Sequence, residues 1–184
     1  MVTNIHERLV SAPLPAVGGL IDRLASPDDV MWPGDRWPPV RFDRPLGVGA
    51  IGGHGPIRYF VEAYEPGRSI SFRFTGPRGF VGTHGFEVEE KGADTVRLRH
   101  VLLMRVEGWA RWSWPLVFRW LHDATIGDAM ARAESWCTSQ PLRYKQWTLR
   151  VRLLRGVVKW LMARGSASKK SLVSQGHQGV KEAK

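Results

Sequence analysis

Apolar positions recur along this chain at two different periods, and the change of period divides it. Ile70, Phe72 and Phe74 alternate with Ser71, Arg73 and Thr75; Phe80, His84, Phe86 and Val88 sit opposite Glu87 and Glu89; Val96, Leu98, His100, Leu102, Met104 and Val106 sit opposite Arg97, Arg99, Arg105 and Glu107. A period of two sends successive side chains to opposite faces of a strand. Strands are therefore expected at 56–65, 69–76, 80–90 and 95–107, with the even positions of the last three facing inward. In 57–65 the odd set Ile57, Tyr59, Val61 and Ala63 takes the inward face. The separators "EPGR", "GPRG" and "KGAD" are turn formers, and links this short join antiparallel neighbours. Earlier strands are expected at 39–43 and 45–52, and a first one in "IHERLVS". Leu14, Val17, Leu20, Ile21 and Leu24 then recur at helical spacing. From Trp114 onward Leu116, Trp120, Leu121, Ala124, Ala131 and Trp136 predict one long helix, with Pro115 in its first turn and Asp123, Asp128, Arg132 and Glu134 on its polar side.

The glycines at 47, 49 and 52 in "GVGAIGGHGPIRYFVEAYEPG" have the spacing of a dinucleotide-binding loop. That loop needs a helix leaving the glycines, whose amides face a pyrophosphate. Here Gly53, His54, Gly55 and Pro56 lead instead into a β-branched and aromatic run, so a turn region between strands is the expectation.

The chain has 184 residues, enough for one domain with a substantial core. "MVTNIHERLV" has no apolar run of the signal-peptide kind, and no segment reaches the roughly 18 apolar residues of a membrane span, so a cytoplasmic protein is expected. Cys137 is the sole cysteine, which excludes an internal disulfide and a cysteine-based zinc site; a buried apolar thiol is expected. The net charge of +10 resides in one place: residues 141–184 hold 11 of the 27 Lys and Arg and the single acid Glu182, leaving 16 basic and 16 acidic groups in residues 1–140.

One strand, a helix, six strands and a long closing helix make an α+β chain in which a curved antiparallel sheet of about seven strands wraps the last helix. Residues 4–137 resemble the START-like, Bet v 1-like (SRPBCC) superfamily, whose members include polyketide cyclases and lipid carriers. The resemblance rests on "RLVSAP", "PLGVGA", "VEAYEPGRSISFRF", "GTHGFEV" and the helical "LHDA". It implies a helix-grip domain over 1–140 that holds a hydrophobic small molecule, lipid-like or polycyclic aromatic, in an internal cavity for binding and transport. The alternative it implies is a polyketide cyclase or aromatase promoting aldol cyclisation or dehydration in the same cavity, so whether the chain is an enzyme stays open.

The inward faces give the expected lining: Tyr59, Val61, Phe72, Phe74, His84, Phe86, His100, Leu102 and Met104, with Trp109 at the mouth. An apolar surface with a few polar groups is the usual make-up of a ligand pocket. His84, His100 and Tyr59 are the catalytic candidates, since imidazole exchanges protons near neutrality; against this, each histidine reads as a neutral core residue bonded to backbone or to Tyr59. No cofactor is expected. No metal is expected either, because His6, His54, His84, His100, His122 and His177 form no i, i+4 pair. The tryptophans at 109, 112, 114 and 120 read as packing at the helix entry, or as a greasy mouth opposite Trp32 and Trp37.

Residues 141–165 form a basic amphipathic segment. Plotted as a helix, Trp147, Val151, Leu154, Val157, Val158, Trp160, Leu161 and Met162 share a broad arc opposite Arg152, Arg155 and Lys159, with Arg150 inside the arc. Peripheral contact of 143–164 with an anionic membrane and packing on the chain's own domain are both open readings; "WTLRVRL" also alternates as a strand. Residues 166–184 are too polar to fold unaided. Nucleic-acid binding is disfavoured, because the first 140 residues are neutral and the tail has no reader motif.

Overall fold

The computed structural model describes residues 1–161 and Arg164, so Met162 and the polar stretch 166–184 lie outside the described residues. The chain divides into two units, Met1–Gln146 and Trp147–Lys184. The first has the element order β1 (Val2–Val10), α1 (Leu14–Asp22), β2 (Arg41–Phe42), β3 (Ile51–His54), β4 (Ile57–Glu65), β5 (Ser69–Gly76), β6 (Phe80–Gly92), β7 (Thr95–Val106), α2 (Ala110–Ser113), a π-helical turn (Trp114–Phe118) and α3 (Arg119–Thr138). All seven strands form one antiparallel sheet in the order β1-β7-β6-β5-β4-β3-β2, so the first strand closes on the last and the others run as a meander.

The alternation is realised as expected over β5, β6 and β7. Ile70, Phe72, Phe80, Phe86, Val88, Val96, Leu98, Leu102 and Met104 are buried, while the opposite face carries an ion-pair ladder of Glu7, Arg97, Arg99, Glu87 and Glu89. In β4 the odd parity holds only as far as Val61. A bulge at Glu62 sets Val61 opposite Phe72 but Ala63 opposite Ser71, so an extra residue enters and the faces exchange. Ala63 is consequently exposed, and Tyr64 turns onto the core and donates its hydroxyl to Asp22 Oδ1 at 2.8 Å.

The strand expected at 45–52 begins only at Ile51. The amide of Ala50 folds back onto the Gly47 carbonyl, and Gly49 has φ +85°, so residues 47–50 form a turn. Gly52 allows close strand approach, since a Cβ there would lie 2.1 Å from the Arg41 carbonyl oxygen. The glycine-rich stretch therefore serves a β3–β4 hairpin and no phosphate loop. Gly18 of α1 does similar service: a Cβ would sit 2.1 Å from the Gly67 carbonyl, and Asp22 Oδ1 accepts from the Gly67 amide at 2.8 Å, clamping α1 to the β4–β5 turn.

The closing helix starts earlier than expected, at Ala110, which places Pro115 inside it. Proline has no amide to donate, and the chain widens there into the π turn Trp114–Phe118. Two carboxylates expected on the polar side of α3 face protein. Asp128 is 2% exposed and accepts from Trp37 Nε1 at 2.8 Å and from Arg36 at 3.3 Å; Asp123 points at β1. Cys137 is half-buried against the core. In the second unit residues 149–161 are helical, not extended, with Leu149, Leu153, Val157, Trp160 and Leu161 exposed. Among the described residues no helix is long and apolar enough to cross a membrane.

Candidate functional site

Register brings the sequence candidates together. His84 pairs with Phe72 on one side and Leu102 on the other, His100 pairs with Phe86 and with His6, and Tyr59 pairs with Phe74. All of these side chains share the inner face of the sheet. His84 Nδ1 and His100 Nε2 are 3.3 Å apart, and the Tyr59 and His84 rings meet edge-on at 4.9 Å. Phe74 stacks on His84 at 4.6 Å and Phe86 meets His100 at 4.8 Å. Val61 and Phe72 are buried beside Tyr59 in the main core, while Leu102 and Met104 belong to a second cluster with Phe80 and Trp114. Trp109 stands apart at 80% exposure, as does Trp112 at 63%, so only Trp114 of the helix-entry tryptophans is fully packed. Trp32 and Trp37 are buried.

The structure also assembles residues that sequence spacing separates. His54, at the end of β3, shares a hydrogen bond of 3.0 Å between its Nδ1 and the Tyr59 hydroxyl and lies 4.8 Å from the Trp32 ring. From α3, His122 reaches over the sheet to within 5.0 Å of the His100 ring and 5.7 Å of the His6 ring. Asp123 Oδ1 accepts from Asn4 Nδ2 at 2.8 Å and lies 3.1 Å from His6 Nε2. Five histidines thus run across the inner face from His54 to His6. His177 lies outside the described residues. Separate in sequence and without any i, i+4 pair, these histidines are neighbours in space.

Burial holds His54, His84, His100 and His122 neutral. Removal from water pushes His84 and His100 well below the usual imidazole range, lowers His122, and brings His54 down to about 3; the neighbouring imidazoles act in the same direction. The Tyr59 hydroxyl is raised by burial, so it stays a phenol. Asp123 runs the other way: the nearby His122 imidazole and the hydrogen bonds from His6 and Asn4 outweigh its own burial and keep it ionised. Several buried polar atoms have no hydrogen-bond partner among the described residues, namely His84 Nε2, His100 Nδ1, both ring nitrogens of His122, and Asn4 Oδ1.

Neutrality and contact together define what the central pair can do. Two neutral imidazoles sharing one proton between His84 Nδ1 and His100 Nε2 must present one bare nitrogen and one N–H at their outer ends, His84 Nε2 and His100 Nδ1. The pair offers an acceptor and a donor at once, and exchange of tautomer swaps the two.

The Asp123 cluster was invisible to a search for i, i+4 pairs because its histidines come from a strand and a helix 116 residues apart. One signal was present. In "VTNIHERLV" the inward positions of β1 are Asn4, His6 and Arg8, whereas Ile5 and Leu9 face outward at 46% and 61% exposure.

A separate cleft of about 480 Å³ lies at the C-terminal end of α3, lined by Val30, Arg132, Ser135, Trp136, Ser139, Gln140 and Leu142. None of the expected lining residues borders it.

No protein-family model matches the sequence, and no curated protein matches it. Solved structures do match in fold. A protein from Thermobifida fusca shares 13% identity with a TM-score of 0.56, covering 80% of this chain and 100% of its own. CalU16 from Micromonospora echinospora shares 14% with a TM-score of 0.52, covering 88% and 86%. Norcoclaurine synthase from Thalictrum flavum, solved in complex with dopamine and hydroxybenzaldehyde, shares 17% with a TM-score of 0.55, covering 78% and 90%. With its seven-stranded curved antiparallel sheet and long closing helix, the chain has the Bet v 1-like, SRPBCC-type helix-grip fold.

Proposed function

We propose that the inner face of the sheet binds a hydrophobic small molecule, polycyclic aromatic or lipid-like, that carries a hydroxyl or carbonyl group. The observation that carries this reading is the set of buried, unpartnered nitrogens on His84 and His100 amid Tyr59, Phe72, Phe74 and Phe86. Burying a polar atom without a partner is costly, and a ligand oxygen that accepts from one ring nitrogen or donates to the other removes that cost. The surrounding rings supply apolar area and offset-stacking partners. The fold's neighbours are consistent with such a site, one of them being an enzyme solved with two small aromatic molecules.

The test compares 2-naphthol with naphthalene as probes of the full-length chain, by fluorescence titration. The hydroxylated probe binds more tightly in the wild type. His84→Leu and His100→Leu abolish that preference, a loss of about fivefold to thirtyfold for one or two net hydrogen bonds, and leave naphthalene unaffected. His84→Gln, which keeps a donor and an acceptor, retains most of it. Equal binding of the two probes by the wild type rejects the reading.

The second reading is catalysis of an aldol closure or dehydration, favoured by the paired tautomers of His84 and His100. Enolisation needs a base at carbon and a donor at the carbonyl oxygen, and the pair supplies both. Under this reading His84→Gln and His100→Gln lower turnover of a poly-β-carbonyl substrate by about 10²- to 10⁴-fold while substrate binding persists.

We infer a membrane-facing role for the helix at 149–161 from its exposed Leu149, Leu153, Val157 and Trp160 and from the basic residues Arg150, Arg152, Arg155 and Lys159 among them. Co-sedimentation with phosphatidylserine vesicles, lost in high salt and absent with phosphatidylcholine, is the expected result.

A further inference from the structure

We propose that His6, His122 and Asp123 form a binding site for a divalent transition-metal ion where β1 meets α3. The donor atoms, one from each residue, all lie within 4.8 Å of one another. Asp123 Oδ1 is the common vertex, 3.1 Å from His6 Nε2 and 3.5 Å from His122 Nδ1. Tetrahedral bonds of about 2.1 Å place ligand atoms about 3.4 Å apart, so both separations suit a shared ion, whereas 3.5 Å is too long for a strong hydrogen bond.

Three features around the triad point the same way. His122 spends neither ring nitrogen on a hydrogen bond among the described residues, although both are buried. Asn4 donates to Asp123 Oδ1 through Nδ2 and keeps its own buried Oδ1 unpartnered beside the cluster, a further oxygen donor. Arg119 lies on the other carboxylate oxygen, Nε to Oδ2 at 3.8 Å, an outer contact that leaves Oδ1 turned to the histidines. The strand itself departs from ordinary patterning to make this possible, turning Ile5 and Leu9 outward so that Asn4 and His6 face α3. Local rules are broken in this way chiefly at functional sites.

Two imidazoles and a carboxylate suit Zn²⁺, Co²⁺, Fe²⁺ or Ni²⁺ over Ca²⁺ or Mg²⁺, which prefer all-oxygen shells. Three protein ligands also leave a position open for water or another small oxygen donor, as in sites that act on a bound molecule. His100, 5.0 Å from the His122 ring, links this corner to the His84 pair.

The experiment titrates chelator-treated full-length protein with Co²⁺, read by visible d–d absorption, with Zn²⁺ as competitor and metal analysis for stoichiometry. One ion per chain is expected with Kd of about 10 µM or below. Asp123→Asn, His6→Gln and His122→Gln each weaken binding at least about tenfold. His54→Gln, at the far end of the row, leaves it unchanged. Thermal unfolding in chelator checks that each variant is folded. A second readout needs no variant: in the wild type, Co²⁺ broadens the imidazole NMR signals of His6 and His122 before that of His54. Kd above about 1 mM, undiminished binding by folded Asp123→Asn, or first broadening at His177 overturns the proposal.

Discussion

The edge strand β1 and the strands beside it obey opposite rules. In β5, β6 and β7 the inner face is apolar apart from His84 and His100, and the outer face is a ladder of paired charges; between Val2 and Val10 the inner face of β1 carries Asn4, His6 and Arg8, and the aliphatic Ile5 and Leu9 face out. The first pattern is what burial alone selects. The second is intelligible only once α3 is in place, because Asp123 and Glu134 supply the partners: Asn4 and His6 meet Asp123, and Arg8 meets Glu134 at 2.6 Å. Apolar strands can be read alone, whereas a polar inner face is a statement about a partner.

Breaking the apolar strands should have the largest effect. Phe72 packs against Phe42, Tyr59 and His84, and Phe72→Ala is expected to cost about 3–5 kcal/mol by urea unfolding, from lost burial and the cavity left behind. At the polar edge strand Asp123→Ala leaves Asn4 and His6 without their acceptor and should cost about 2 kcal/mol. A smaller loss than that of Phe72→Ala is the expected order, and the reverse would show the polar cluster to be the structural keystone.

Acid acts on the buried histidines of the inner face. His54 is brought down to about 3 when folded, while an unfolded histidine titrates near its ordinary value of 6.5. Between those values the unfolded chain binds the extra proton. Stability is therefore level above pH 6.5 and falls as the pH drops toward 3, by about 1.4 kcal/mol per pH unit for each such histidine. Urea unfolding of His54→Gln at pH 7 and pH 5 should show a shallower decline than the wild type by about that slope. The outer-face charges should matter least. Glu62→Gln removes the partner of Arg73 at the surface, and a change in stability within about 0.5 kcal/mol is expected at any salt concentration.

Particular residues show how far the chain could be read in advance. Alternation placed Phe72, Phe86, Leu102, His84 and His100 on the inner face, because the faces of a strand are decided by adjacent residues. The same parity failed one residue past Val61, where a bulge at Glu62 exchanged Ala63 and Tyr64; nothing in "YFVEAYE" marks which residue is left unpaired. The helix expected from Trp114 begins at Ala110, since a π turn absorbs the amide missing at Pro115. Asp128 was read as solvent-facing and proved to be the buried acceptor for Trp37, a loop residue that helical spacing cannot see.

The amino-acid sequence by itself determined the strands from β4 to β7, their antiparallel order, the inward faces of β5 to β7 and the closing helix, because these follow from hydrophobic period and turn chemistry acting over a few residues. The meeting of His6, His122 and Asp123, the row from His54 to His6, and the inverted face of β1 were decided by tertiary structure alone. The β1–α3 contacts join residues more than 100 positions apart and the row draws on five separate elements, and the free energy that brings them together comes from burying the rest of the sheet against α1 and α3.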